Sequence, residues 1–274
     1  MTRTIRRLVL PEIGTLLGWA CDEGWNPGRT DATAFASVDP DGLIGAFVGG
    51  QMVAAIAAVA YDAKFGFIGL YICHPAYRGQ GHGRAVWDAG IAHLGQRTIG
   101  LDGVPEQQAN YARMGFAIAY QTMRMTALAP AGAMAGDLVP VQSARVLQAL
   151  DRQCFPAERG RFVGHWLEPP NRGLALMRDG AVAGCVVIRP CVEGHKIGPL
   201  FAADDADAKV LLAGAMHFAT GMVQIDVPRS RSAFLATLGA SGFAPGFATA
   251  RMYRGAAPAI DMTRVFGITS LELG

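Results

Sequence analysis

Short apolar runs alternate with glycine-containing turns and with segments of helical spacing along this chain. Apolar runs over 43–48 and 52–61 flank a Gly-Gly-Gln turn and predict two strands joined as a hairpin. A run over 65–73 predicts a third strand. Apolar residues recur at helical spacing over 8–20 and over 84–95, so a helix is predicted on either side of the three strands.

The same pattern returns later in the chain. Runs over 174–178 and 181–188 flank an Asp-Gly turn and predict a second hairpin, and the segment 208–219 predicts a helix. Four landmarks keep their order, at separations of 130, 129, 124 and 127 residues: Gly50 to Gly180, Gly69 to Gly198, Asp102 to Asp226, and Gly115 to Gly242. Ordered self-similarity of this kind predicts a duplicated structural unit.

A seam separates the two copies. Residues 129–138 are rich in alanine, glycine and proline and carry almost no charge, as linkers often do. We therefore predict a first domain over 1–128, a linker over 129–138 and a second domain over 139–274.

Composition narrows the class of protein. Hydrophobic residues make up 51% of the 274 residues and charged residues 17%, which is typical of a well-buried globular protein. A net charge of +2 gives no reason to expect a nucleic-acid partner. No apolar run reaches the length of about 18 residues that a membrane span needs, so no membrane partner is expected. The five cysteines are odd in number and lack metal-site spacing, which predicts reduced thiols, a cytoplasmic location and no metal.

The stretch Tyr-Arg-Gly-Gln-Gly-His-Gly-Arg over 77–84 lies between a predicted strand and a predicted helix. The first N–H groups of a helix have no partner within it and attract anions. Glycines at 79, 81 and 83 remove β-carbons that would hold a phosphate away, while Arg78 and Arg84 add positive charge. The stretch is interpreted as a pyrophosphate-binding loop, with a flexible glycine turn as the alternative.

The loop also carries a family resemblance. Residues 78–83, Arg-Gly-Gln-Gly-His-Gly, match the pattern Arg/Gln-x-x-Gly-x-Gly and resemble the coenzyme A loop of the GNAT (Gcn5-related) N-acetyltransferases. Tyr111, four residues before Gly115-Phe116, matches a second feature of that family. The resemblance is specific over residues 1–126 and extends more weakly over the whole chain, which looks like a bacterial subgroup of tandem GNAT proteins.

This resemblance implies an α/β (α+β) fold of two GNAT-like domains in tandem, each with a mixed, largely antiparallel central sheet flanked by helices. It implies acetyl-CoA as co-substrate and no metal. The backbone at the end of the strand would hold the thioester carbonyl, and Tyr111 would act as general acid. The residues expected to bind the coenzyme are Tyr71, Ile72, Cys73, Arg78, Gly79, Gln80, Gly81, His82, Gly83, Arg84, Asn110 and Tyr111.

An alkylamine is mostly protonated at neutral pH, so its proton needs an acceptor. Glu23 is the candidate catalytic base, with Asp102 as the second candidate, acting directly or through water. Glu23 and Trp25 would line the entrance for the amine together with Asp102 and Gln107. The alternative for Glu23 and Trp25 is a helix end with a solvated acid and a half-buried indole. Cys73 supplies either its backbone or, less favourably, a covalent acyl-cysteine.

The second copy departs from the family at both functional positions. Acids at 204, 205 and 207 replace the glycine loop and are expected to cap a helix, and Leu238 replaces the tyrosine. We therefore expect a degenerate second domain that helps to wall the acceptor site. Arg189, Arg229 and Arg231 would either contact an acidic acceptor group or, with more weight, lie on the solvated surface.

These features together predict an N-acetyltransferase that moves an acetyl group from acetyl-CoA to a primary amine, most simply of a small molecule, by direct attack. Two alternatives stay open. One is a non-catalytic coenzyme A sensor or scaffold, and the other is an acyltransferase acting on a hydroxyl or a protein lysine. A monomer and a homodimer both fit.

Overall fold

The computed structural model describes residues 2–129, 138–141 and 143–274. Most of the predicted linker, residues 130–137, lies outside the described residues, and the strand that follows already begins at Leu138. The elements of the first half are β1 (Arg3–Arg7), α1 (Leu10–Asp22), α2 (Asp31–Val38), β2 (Leu43–Val48), β3 (Gln51–Ala60), β4 (Phe65–Cys73), α3 (His82–Leu94), β5 (Thr98–Gly103), α4 (Pro105–Arg113) and β6 (Ala117–Leu128).

The second half repeats this order element by element and adds one short strand. Its elements are β7 (Leu138–Val141), α5 (Ala144–Cys154), α6 (Gly160–Trp166), β8 (Arg172–Arg178), β9 (Ala181–Pro190), β10 (His195–Phe201), α7 (Asp205–Met216), β11 (Met222–Pro228), α8 (Ser232–Ala240), β12 (Ala244–Arg254) and β13 (Val265–Gly267). The predicted duplication is therefore confirmed, and each copy has the strand and helix order that the sequence pattern indicated.

The described strands form one continuous sheet in the order β1-β2-β3-β4-β5-β12-β6-β11-β10-β9-β8-β7, with β13 beside β10. Two pairs are parallel, β4 with β5 and β10 with β11, and the remaining pairs are antiparallel. A mixed and largely antiparallel sheet flanked by helices confirms the predicted fold class.

The two halves exchange their last strands. Strand β12 of the second half lies between β5 and β6, and β6 of the first half pairs with β11. A buried ion pair fixes this exchange, because Arg251 on β12 donates two hydrogen bonds, of 2.9 and 2.7 Å, to the carboxylate of Asp102 on β5. The sequence pattern indicated two separate domains, whereas pairing between distant strands joins them into one sheet.

Side chains along the central strands point alternately to the two faces of the sheet, and a hydrophobic core lies on each face. On β3, Ala55, Ala57 and Val59 enter one core, and Ala54, Ile56 and Ala58 enter the other, because successive side chains point to opposite faces. The first core also takes side chains from helices of both halves, including Phe35 stacked on Trp166 with ring centroids 6.2 Å apart. This shared core holds the two halves together.

Two expectations about charged residues in the second half had different outcomes. Asp204 caps α7 by accepting a hydrogen bond from the Asp207 backbone N–H, as predicted. The expectation of a solvated Arg189 was wrong, since this side chain is 1% exposed and ion-paired with Asp31 of α2. Its buried partner comes from the other half of the chain, which no local pattern could reveal.

In the part of the chain that the structure describes, no helix combines the length and apolar character that crossing a membrane requires.

Candidate active site

The parallel strands β4 and β5 separate halfway along their length. Their pairing ends at Ile68 opposite Leu101, although β4 continues to Cys73. A bulge accompanies the separation: three steps along β4, from Gly69 to Ile72, face only two steps along β3. Alternate backbone N–H and C=O groups of β4 beyond Ile68 therefore face an open cleft instead of a strand.

The cleft holds a cavity of about 500 Å³. Nine of the residues predicted from the sequence line it: Glu23, Trp25, Tyr71, Ile72, Cys73, Arg78, Asp102, Gln107 and Tyr111. The structure thus brings together side chains that are up to 88 positions apart in the chain, from Glu23 to Tyr111.

The glycine loop lies beside this cavity rather than in its wall. Gly79 and Gly81 have φ of +76° and +78°, a region that glycine adopts without strain. Gly81 precedes the first turn of α3 and supplies no side-chain cap, and the Gly83 N–H within that turn donates to the Cys73 sulfur. A β-carbon at Gly83 would lie 3.0 Å from the Tyr71 hydroxyl oxygen. This geometry fits a bound phosphate group.

The other predicted residues of the loop make contacts within the protein. Arg84 donates to Asp88, four residues along the exposed face of α3, and Gln80 donates to the Ala76 carbonyl. The ring of His82 lies 6.1 Å from that of Tyr77, measured between centroids. None of these contacts occupies the backbone N–H groups at the start of α3.

Arg78 and Glu23 are paired with each other at the mouth of the cavity. An Arg78 Nη donates to Glu23 Oε1 at 2.5 Å, and Arg78 Nε donates to the Cys73 carbonyl at 3.0 Å. Both members of the pair are more than a third exposed, so the pair stabilises little by itself. The pair places the guanidinium between strand β4 and the loop that carries Glu23.

Tyr111 presents a protonated hydroxyl to the cavity. Its ring stacks on Trp87, with centroids 5.6 Å apart, and the hydroxyl makes no hydrogen bond within the described chain. Burial, and to a smaller extent the neighbouring Tyr71, raises the pKa of Tyr111 to about 12. The phenol therefore keeps its proton throughout the physiological pH range.

The remaining predicted residues differ in whether their side chains are available to a ligand or already held by other residues. The side chain of Asp102 is fully buried, and its two carboxylate oxygens accept from Arg251. Asn110 donates to Gln107 at 2.7 Å and does not line the cavity. Burial raises the pKa of the Cys73 thiol, which lowers the fraction of reactive thiolate and favours the backbone alternative for this residue.

Sequence reasoning missed the second half's share of the cavity wall. Phe247 and Thr249 come from the exchanged strand β12, and Leu271 and Glu272 come from the segment after β13. No local motif marks these residues, because their position depends on strand exchange. The sequence predicted that the second half helps to wall the acceptor site, but it did not identify any of these side chains.

The segment over 265–274 occupies the cleft of the second half that corresponds to the open cleft of the first half. Strands β10 and β11 pair only to Ile197 opposite Ile225, as β4 and β5 do to their own last pair. Here β13 pairs with β10, and the Ile268 N–H donates to the Asp226 carbonyl on β11. Within the described chain, the second half therefore fills with its own backbone the space that stays open in the first half.

Two glycines at equivalent positions permit this packing. A β-carbon on Gly198 would lie 2.5 Å from the Ile268 carbonyl oxygen, and one on Gly69 would lie 1.8 Å from the Glu272 carbonyl oxygen. Side chains at either position would displace the segment. The segment thus crosses the filled cleft first and then forms part of the wall of the open one.

Among the described residues, no group of three or more histidine, cysteine, aspartate or glutamate side chains is placed to hold a metal ion. The polar side chains that line the cavity include the phenols of Tyr71 and Tyr111, the Arg78 guanidinium, the Thr249 hydroxyl and the carboxylates of Glu23, Asp102, Glu106 and Glu272. Such a set can bind an acyl group, donate a proton and accept one.

Comparison with known families matches both halves of the chain. The model described as "Acetyltransferase (GNAT) family" matches residues 10–116, and the model described as "Acetyltransferase (GNAT) domain" matches residues 147–267. Holothin acyltransferase of Pseudoalteromonas sp. (strain SANK 73390) is 32% identical over 263 residues, which cover 93% of this chain and 89% of that protein.

Solved structures match the fold over nearly the full length. A putative acetyltransferase from Pyrococcus horikoshii superposes with a TM-score of 0.86 at 21% identity, covering 99% of this chain and 96% of the other. A tandem GNAT protein from the clavulanic acid biosynthesis pathway gives a TM-score of 0.62 at 16% identity, covering 93% of this chain and all of the other. At these identities the likeness shows a shared fold and does not identify a substrate.

Proposed function

Because this chain belongs to the GNAT family of acyltransferases, we propose that it transfers an acetyl group from acetyl-CoA to the primary amine of a small molecule. One observation carries the proposal. A strand edge with free backbone groups, an uncapped glycine loop and a protonated tyrosine meet around one open cavity.

The first half would hold the coenzyme. Backbone N–H groups at the start of α3 and the Arg78 side chain suit the phosphates of the coenzyme, because both supply hydrogen-bond donors to an anion. The free edge of β4 over 69–73 suits the extended arm, because it can pair with amide groups as a neighbouring strand would. Acetyl-CoA supplies an activated acyl thioester when it is bound.

The residues of the cavity would then meet the demands of acyl transfer. A backbone N–H at the end of β4 would stabilise negative charge on the carbonyl oxygen. Tyr111 would donate a hydrogen bond to the sulfur that leaves, and burial keeps its hydroxyl proton in place at neutral pH. Glu23 stays a candidate for binding the amine at the cavity mouth, where it pairs with Arg78.

A small acceptor is supported by the shape of the site. The coenzyme arm and the acceptor must share about 500 Å³, and the second half closes one side with Phe247, Thr249 and the segment that carries Glu272. The relative that is 32% identical is named holothin acyltransferase, and this supports acyl transfer as the activity of the present chain.

The test is an acylation assay with purified protein, acetyl-CoA and a panel of primary amines. Release of free thiol should depend on the amine, and mass spectrometry should find the acetylated amine. Thiol release without an acetylated amine, or acetylation confined to hydroxyls or protein lysines, would contradict the proposal. A Gly81→Glu variant, with its loop blocked, serves as the control for coenzyme dependence.

A further inference from the structure

Glu272 differs from Glu23 and Asp102, the two carboxylates that were predicted for this site from the sequence. It lines the cavity, yet the residue is only 4% exposed, and its Oε2 has no hydrogen-bond partner among the described residues. A buried carboxylate oxygen without a donor costs free energy, so a ligand that supplies the donor gains affinity.

Two of the other carboxylates that line the cavity already have cationic partners, and the third, Glu106, is exposed to solvent. Glu23 accepts from Arg78 at 2.5 Å, and both oxygens of Asp102 accept from Arg251. The cation nearest to Glu272 is Lys196, whose Nζ lies 4.0 Å from Oε1. That ammonium group donates instead to the Trp25 carbonyl at 2.6 Å. Glu272 therefore keeps unused capacity to accept hydrogen bonds.

Other buried charges around Glu272 are paired among themselves. The nearby pairs are Arg189 with Asp31, Arg124 with Asp226, and Arg251 with Asp102, contributed by β9 and α2, by β6 and β11, and by β12 and β5 respectively. Each pair is joined by hydrogen bonds of 2.7–2.9 Å. Each of these guanidinium groups therefore already has its own carboxylate, although Arg189 Nε has no hydrogen-bond partner among the described residues.

A second oxygen in the same wall also lacks a partner. Thr249 lines the cavity and is 3% exposed, and its Oγ1 makes no hydrogen bond within the described chain. The indole of Trp25 and the side chains of Phe247 and Leu271 supply apolar surface in the same cavity. A ligand that suits this lining has N–H donors at one end and an apolar body.

We propose that Glu272 binds the ammonium group of the acceptor and accepts its proton, with the Thr249 hydroxyl as a second hydrogen-bond partner. The acceptor class is a primary alkylammonium with an apolar or aromatic body. This inference rests on the proposed acetyl transfer and assigns the base of that reaction to the second half of the chain.

The proton balance of the step is complete. The Glu272 carboxylate takes one proton from the ammonium group and later releases it to solvent. The freed amine forms the N–C bond to the acyl carbon while the C–S bond breaks. The leaving sulfur takes the proton that the acylated nitrogen releases, while Tyr111 donates a hydrogen bond to that sulfur. The products are an amide, a free thiol and one proton.

The experiment compares two acceptors of similar shape that differ in protonation. Benzylamine is protonated at neutral pH, whereas O-benzylhydroxylamine is neutral there and still nucleophilic. Glu272→Gln keeps the size of the side chain and removes its charge. We expect it to lower kcat/KM for benzylamine by roughly 100-fold or more, the usual contribution of a general base, and to change that for O-benzylhydroxylamine by less than about fivefold.

Two controls separate this role from a structural one. Glu168→Gln removes a carboxylate that is 60% exposed on the second half and lies outside the cavity, so neither rate should change. Acetyl-CoA affinity, measured by calorimetry, should be the same for Glu272→Gln and wild type, which shows that the variant is folded.

The outcomes are distinct. Equal losses for the two acceptors, an unchanged rate for benzylamine, or a wild type that binds acetyl-CoA but acetylates neither probe would overturn the role of Glu272. Failure of the wild type to bind acetyl-CoA would instead overturn the proposed function itself.

Discussion

Replacing Tyr111 with phenylalanine removes the hydroxyl that is proposed to donate to the leaving sulfur, and little else. The ring stacks on Trp87 with centroids 5.6 Å apart, and the hydroxyl makes no hydrogen bond within the described chain, so Phe retains the packing. We therefore expect a change in unfolding free energy of no more than about 0.5 kcal/mol. Any loss of activity should come from the missing hydroxyl.

The size of the loss follows from the raised pKa. Burial raises the pKa of Tyr111 to about 12, whereas an ordinary thiol has a pKa of about 8.5. Complete transfer of the proton to a thiolate would be uphill by 12 − 8.5, about 3.5 units or roughly 5 kcal/mol. The hydroxyl should therefore act by donating a hydrogen bond to the developing negative charge. Such a bond stabilises by about 1.5–3 kcal/mol, or roughly 10- to 150-fold in rate.

The assay measures kcat and KM with acetyl-CoA and benzylamine, together with acetyl-CoA affinity by calorimetry. We expect Tyr111→Phe to lower kcat by roughly 10- to 150-fold and to leave the acetyl-CoA Kd within about twofold. A loss in kcat below about threefold would remove Tyr111 from the mechanism. A weaker Kd that accounts for the whole loss would make Tyr111 a binding residue instead.

Three further changes test other parts of the structure. Gly81→Glu should weaken acetyl-CoA binding more than tenfold in calorimetry, because a side chain at φ of +78° costs about 1–2 kcal/mol and the carboxylate repels phosphate. Gly81→Ala lacks the charge and should lose less affinity. Equal losses for the two variants would exclude a phosphate at this loop. Asp102→Asn should lower the unfolding free energy by about 3–5 kcal/mol in denaturant titrations, since Arg251 would stay buried without a counter-charge; a loss below about 1 kcal/mol would refute a structural role for the pair. Burial favours a raised pKa for Asp226, but Arg124 outweighs burial and lowers the folded-state pKa. This stabilisation is present above the unfolded pKa of about 3.9 and is lost as pH falls below that value and through the lower folded-state pKa. Unfolding free energy measured from neutral to acidic pH should therefore fall less steeply for Asp226→Asn than for wild type, and an equal slope would contradict the assignment.

Local signals predicted most of the elements. The hairpin turns and apolar runs located β2, β4 and the strands of the second hairpin to within two residues. The helix after the glycine loop was predicted over 84–95 and spans His82–Leu94. These features depend on residues close together in the sequence, where turn chemistry and periodicity act directly.

The missed features depend on contacts between distant residues. Strand β12 lies between β5 and β6 because of pairing across more than 100 positions, and its apolar pattern would suit its own half equally well. For the same reason Arg189 was predicted at the surface, although it is buried and paired with Asp31, which is 158 positions away in the chain. Local periodicity carries no information about such partners.

The residues of the candidate site also fall into those that a local motif marks and those that depend on distant contacts. The loop and Tyr111 were accessible as motifs in the first half, and the structure has Tyr111 in the wall of the open cleft with the glycines of the loop beside it. Glu272 carries no motif, and its relevance appears only when the segment after β13 is seen to cross from one cleft to the other.

The most direct test of the account is a calorimetric titration of the purified chain with acetyl-CoA. The first half has an open cleft beside an uncapped glycine loop, and the second fills the equivalent space with its own backbone. We expect saturable binding at one site per chain. Two sites would contradict the filled second cleft, and no binding at millimolar acetyl-CoA would contradict the proposed acyl transfer.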